Sequence, residues 1–267
     1  MDAASMGAGV LHPESAATRF ALTRREPAAD LAPFVDFYWV IRWDLTGQAP
    51  YEQAILPHPN VNLAFESGRA PAAGVYGVDT KVFKRRLSGA GKALGIRFRP
   101  GGFRPFHSAS ISTLNDRVVP ASAIFGPATA ATLDGVLAAA DDEAMIACAA
   151  RFLLAAGPVA DPVTDEVAAI VARITADPSL RRVGELVAAF GIPERRLQRM
   201  FAEYVGVSPK WVMRRARLHE AALRADAGEG VDWAALAADL GYADQAHLTR
   251  DFTATLGVPP TRYAARR

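Results

Sequence analysis

The chain has 267 residues, 51% of them hydrophobic and 22% charged, with a formal net charge of +2 and one cysteine, Cys148. This composition excludes a disordered or fibrous chain, an internal disulfide framework and a cysteine-rich zinc site, and it suits a reducing cytoplasm. No apolar run approaches the roughly 18 residues of a membrane span, and Met1 to Val10 lacks the layout of a secretory signal, so a cytoplasmic protein of two domains with no membrane partner is expected.

Residues 1 to about 30 are small, polar and proline-containing and predict a poorly ordered start. From Phe34 to Phe98 the pattern is period two. Trp39, Ile41 and Trp43 share a face opposite Val40 and Arg42; Val61, Leu63 and Phe65 alternate with Asn62, Ala64 and Glu66; Leu94, Ile96 and Phe98 alternate with Gly95, Arg97 and Arg99. Glycines and prolines between these runs mark turns, and residues 1–126 read as an antiparallel β-rich sensory or assembly domain, a small barrel or sandwich. Trp39, Trp43 and Phe98, with Arg97, are the candidates for a pocket holding a small-molecule effector; the same aromatics would also serve as a filled core. His58, Asn60 and His107 lack a His-x-His with a downstream Glu, so neither a metal nor another cofactor is expected.

Residues 127–157 read as a helical connector. Its apolar positions Leu133, Val136, Leu137, Met145, Ile146, Phe152 and Leu153 fit either a homodimer contact or a cover over the β domain. Cys148, with no basic neighbour closer than Arg151, reads as a structural thiol. Gly157 to Pro162 forms a linker, and residues 164–267 are helical throughout, carrying 15 Lys+Arg against 13 Asp+Glu. So slight an excess makes no electrostatic case for nucleic acid; the placement of particular side chains must make it.

One local pattern occurs twice in this last region. Leu197, Arg199, Phe201, Gly206 and Pro209 recur as Leu248, Arg250, Phe252, Gly257 and Pro260, each 51 positions later. Each copy follows a short apolar helical run, Val183 to Phe190 or Trp233 to Leu240, and a turn with glycine, so each is a helix-turn-helix. In the first, Pro193 begins a second helix whose inward stripe is Leu197, Met200, Phe201 and Tyr204, leaving Arg195, Gln198 and Arg199 outward. In the second, Leu248, Phe252 and Leu256 face inward; Gln245, His247 and Arg250 face outward, with Thr249 at the rim. Arginine and glutamine suit guanine and adenine edges, and double-stranded DNA is the expected partner. Between the units, Ser208 as N-cap and Pro209 as first residue start a helix reaching about Ala227. Its length, about 28 Å plus turns, would place two reading helices in successive major grooves about 34 Å apart.

These residues resemble the AraC/XylS family of bacterial transcription regulators over about residues 165–267. The landmarks are Leu197-x-Arg199-x-Phe201, Gly206-Val-Ser-Pro209, Arg217-Leu218, Ala237 to Gly241-Tyr242, and Leu248-x-Arg250-x-Phe252 to Gly257-Val-Pro-Pro260. The resemblance implies base-facing positions at Arg195, Gln198, Arg199, Gln245, His247 and Arg250. Leu56 to Leu63 and Gly95 to Phe103 resemble an uncharacterised β-rich domain found ahead of such DNA-binding domains, where many members carry a cupin-like sensor. The expected protein is an effector-responsive, sequence-specific regulator and not an enzyme, with RNA polymerase as a partner if it activates. Two rivals remain: an N-terminal domain that only dimerises, and an enzyme fused to this DNA-binding domain, for which the isolated Cys148 supplies no alkyl-transfer context.

Overall fold

The computed structural model describes residues 9–227 and 230–265. Every strand pairing among them is antiparallel. Six strands form one sheet in the order β1 (Ala21–Arg25), β2 (Val35–Leu45), β7 (Gly89–Phe98), β4 (Asn62–Glu66), β5 (Ala73–Tyr76) and β8 (Val118–Pro120). A separate ribbon pairs β3 (Tyr51–Ile55) with β6 (Phe83–Leu87). The β1 and β8 edges do not pair with one another, so the β-rich region is built from open sheets and not from a closed barrel.

Residues 1–8 of the start expected to be poorly ordered lie outside the described residues, and the rest of that start is ordered. Pro13–Ala17 forms a short helix, α1, and Ala21 to Arg25 pair in register with Arg42 to Tyr38. Phe20 and Leu22 are buried with Trp43 and Leu45, a gain that composition alone does not register.

The period-two pattern gives the large sheet two different faces. Tyr38, Val40, Leu63, Phe65, Leu94, Ile96 and Phe98 enter a core covered by α2 (Ser122–Phe125), α3 (Ala128–Ala138) and α4 (Asp142–Ala155). Val136, Met145, Ala149, Phe152 and Leu153 belong to that same core, so the inward side of residues 127–157 covers the sheet. Asp141 caps α4 by accepting from the Ala144 N–H at 2.8 Å, and Arg42 on β2 holds Asp142 at 2.8 Å. The opposite face carries Trp39, Ile41, Asn62, Ala64 and Arg97 and looks toward the β3–β6 ribbon. Trp39 lies against Gly95, its partner on β7, where any β-carbon would come within 1.9 Å of the indole. Only glycine admits the ring there.

The C-terminal region is all helix: α5 (Pro162–Ala176), α6 (Val183–Phe190), α7 (Glu194–Met200), α8 (Pro209–Ala227), α9 (Trp233–Asp239), α10 (Gln245–Leu256) and α11 (Pro260–Ala264). Among the described residues no helix is long and apolar enough to cross a membrane. Two cores divide the region. One gathers α5, α6, α7 and the start of α8 around Leu186, Leu197 and Phe201; the other gathers the end of α8 with α9, α10 and α11 around Leu248, Phe252 and Tyr263.

Candidate functional site

Each helix-turn-helix is closed by glycines in the left-handed region, Gly191 (φ 64°) between α6 and α7 and Gly241 (φ 72°) between α9 and α10. α7 is shorter than the sequence suggests. Pro193 is its N-cap and not its first helical residue, and after Met200 the chain widens into a turn closed by the Gly206 N–H donating to Phe201 O at 2.8 Å. That bond spans five residues, a π-type closure, and carries the inward stripe to Tyr204. α10 begins on Asp244, which accepts from the His247 N–H at 2.7 Å.

Leu197, Met200 and Phe201 are buried; Arg195, Gln198 and Arg199 are exposed on the other side of α7. On α10, Leu248 and Phe252 are buried, Gln245, His247 and Arg250 are exposed, and Thr249 is half-buried. Gln198 donates to Glu194 at 3.0 Å, and Arg196 pairs with Glu166 at 2.9 Å. Ser208 accepts from the Trp211 N–H at 3.2 Å at the start of α8, as its sequence position implies.

Sequence reading missed the polar network behind α10. Asp251, buried, accepts from the Tyr242 hydroxyl at 2.8 Å and pairs with Arg214 of α8. Burial and the Asp251 charge hold the Tyr242 hydroxyl well above the ordinary tyrosine range. Local pattern carries no sign of it, because the partner on α8, Arg214, lies 37 positions away in the chain.

In the N-terminal region a cavity of about 220 Å³ lies between the large sheet and the β3–β6 ribbon. Its walls are mainly apolar, with Phe20, Leu22, Trp39, Ile41, Ile55 and Leu87 among them; Arg24, Arg85, Arg97, Glu66 and Asp79 supply charge. Of the four residues proposed for a pocket, Trp39 and Arg97 line this cavity, and Trp43 and Phe98 do not. Trp43 shares the Trp39 face yet sits four residue pairs further along, donating to Ser88 O at 3.3 Å over Gly91. Phe98 is on the opposite face, packed against Phe103 at a centroid distance of 4.8 Å. The alternation that puts Arg97 in the cavity puts Phe98 behind it.

The guanidinium groups of Arg24 and Arg97 flank the Phe37 ring, 4.7 and 5.1 Å from its centroid. Arg97 donates to Asn60 at 2.9 Å and faces Asp36 at 3.1 Å. Burial lowers its pKa to about 10, with Asp36 opposing and Arg24 adding to the drop. Arg85 pairs with Glu66. Burial, reinforced by Asp116, raises the Asp79 carboxyl to about 6.

His58, a metal candidate in the sequence, stacks on His219 of α8 with ring centroids 3.9 Å apart. Asn60 donates to Phe98 O at 2.7 Å, and His107 contacts Thr113 at 3.2 Å. No group of three His, Cys, Asp or Glu suited to a metal occurs among the described residues. Burial holds the His219 pKa down to about 4, against the pull of its bond to Pro57 O, while Arg215 and Arg97 add to the drop. Cys148 lies between α3 and α4 with its Sγ 3.8 Å from Thr132 O.

Comparison with known proteins assigns the two regions separately. Residues 23–120 match a family described as a domain of unknown function, DUF6597, and residues 186–266 match a helix-turn-helix domain family. No curated protein matches the chain. Among solved structures, wild-type ToxT from Vibrio cholerae strain SCE256, bound to an unsaturated fatty acid, is 11% identical, covers 92% of this chain and 91% of its own, and superposes with a TM-score of 0.39. A 1.65 Å structure of ToxT from Vibrio cholerae is 12% identical over 92% of this chain and 98% of its own, with a TM-score of 0.39. Neither similarity is close enough to carry a ligand across.

Proposed function

Because the C-terminal part of the chain is an AraC-type helix-turn-helix domain, we propose that this DNA-binding regulator reads two successive major grooves with α7 and α10. Arg195, Gln198 and Arg199, then Gln245, His247, Thr249 and Arg250, are the contacting residues. The observation that carries this reading is the pair of exposed polar faces on α7 and α10, each opposite a buried stripe. α8, with 19 residues, spans about 28 Å between the units. One chain thus supplies both readers, and the half-sites need not be palindromic.

The cavity is the effector site in this reading. Its 220 Å³ would hold roughly seven waters' volume. Apolar walls suit a small organic molecule, and an anionic end near Arg24 and Arg97 would relieve the mutual repulsion of two partly desolvated guanidinium groups. Trp39 fluorescence, titrated with small apolar carboxylates and with their neutral amides, should respond to the acids more strongly.

Gel-shift titration with a selected site tests the reading of DNA. Inserting about 5 bp between the half-sites turns one to the opposite face of the duplex, and specific affinity should fall severely. Unchanged affinity would refute two rigidly joined readers.

A further inference from the structure

The two wall segments of the cavity each have a second role. Ile55, Pro57 and His58 line the cavity, while Leu56, fully buried between them, is part of the core that holds Leu218, Leu248 and Phe252 of the second helix-turn-helix unit. Gly77 and Asp79 line the cavity, while Val78, also fully buried, is part of the core that holds Leu197 and Phe201 of the first unit. Alternation along an extended chain sets Leu56 opposite Ile55 and Pro57, and Val78 opposite Gly77 and Asp79, while His58 borders the cavity beside Pro57.

α8, which joins the two units, grips both segments. Arg215 donates to Thr80 O at 2.8 Å, and His219 donates from Nε2 to Pro57 O at 3.2 Å while its ring stacks on His58. The preceding residue, Arg214, faces the other way and pairs with Asp251 on α10. The first unit has further anchors away from the cavity: Ser110 donates to Ala202 O at 2.8 Å and Asn115 donates to Gly206 O at 2.6 Å. A movement of the cavity wall therefore meets a first unit with anchors at Ser110 and Asn115 and a second unit held through the wall, through α8 and through the stacking of His12 on Tyr263 at a centroid distance of 4.3 Å.

We infer that cavity occupancy and the placement of α10 relative to α7 are coupled, through segments 55–58 and 77–80 and the Arg214, Arg215 and His219 face of α8. This rests on the effector and DNA reading above and adds its route. A ligand in the cavity acts on the spacing between the two readers, leaving both exposed throughout. Coupling is reciprocal, so DNA bound at α7 and α10 must alter the cavity wall even when no effector is present.

Hydrogen exchange of the full chain, with and without the duplex that binds most tightly in selection from a random-sequence pool, tests this. DNA should protect α7 and α10 and change exchange in residues 53–60 and 76–80 by about fivefold or more, the low end of ordinary allosteric factors. The double variant Arg215→Met/His219→Phe, which keeps an apolar stem and a ring, should keep the protection of both reading helices and lose the change at the wall. The single variant Arg215→Met should lose part of it. Protection of α7 and α10 with no change at the wall of the native chain overturns the coupling and leaves DNA reading intact. A wall change that persists in the double variant overturns the route through α8. No protection of either reading helix at saturating DNA overturns both readings together.

Discussion

Asp79→Asn should expose a pH dependence of stability that the native chain hides. His219 is held near 4 against an ordinary 6.5, so between those values the unfolded chain binds more protons than the folded one. Its contribution to stability is complete above pH 6.5 and is lost as pH falls toward 4. Asp79 behaves oppositely: its carboxyl is raised from 3.8 to about 6, so the folded chain binds more protons between those values and stability rises on acidification through 6. At 1.36 kcal/mol per pH unit of pKa gap, each group changes stability by about 2 kcal/mol between pH 7 and 4.5, with opposite signs. In the native chain the two nearly cancel. Urea unfolding at several pH values should show Asp79→Asn losing about 2 kcal/mol more than the native chain over that range. His219→Phe, placed in the Asp79→Asn background, should flatten the curve again. Parallel pH curves for the native chain and Asp79→Asn would refute the desolvated carboxyl, and an acid loss that survives His219→Phe would refute the neutral buried imidazole.

Arg199→Ala or Arg250→Ala should cost about 1–3 kcal/mol on the selected DNA site and relax preference at one base position, as measured by competition binding. Equal loss on specific and random duplexes would make these residues phosphate contacts. Gly95→Ala should displace the Trp39 indole, because its β-carbon would lie within 1.9 Å of the ring; a destabilisation of about 1–3 kcal/mol and an altered Trp fluorescence spectrum are expected. Leu56→Ala should destabilise the chain by about 2–5 kcal/mol in thermal or urea unfolding, since its fully buried side chain leaves a void in the core around Leu218, Leu248 and Phe252.

Local pattern was enough to read the doubled helix-turn-helix. Helical spacing alone decides that Leu197 and Phe201 turn inward while Arg195 and Arg199 turn outward, and left-handed glycines at Gly191 and Gly241 mark the turns wherever the rest of the chain lies. Strand parity was equally legible in the β-rich region, yet the expected pocket set Phe98 beside Trp39 and Arg97 against that parity, and the structure puts it on the opposite face. Tertiary structure decided what spacing cannot encode. Whether a parity face becomes a cavity or a filled core depends on what covers it, and here one face of the sheet meets helices α2, α3 and α4 while the other meets a separate ribbon across a gap. Whether His58 is a metal ligand or a ring stacked on His219 depends on a partner 161 positions away. Asp251, Arg214 and Tyr242 are far enough apart in sequence to look like ordinary surface polar residues, and burial against one another makes them a network. A residue's periodic face follows from backbone geometry over a few neighbours, whereas its environment follows from which distant segment fills the space in front of it.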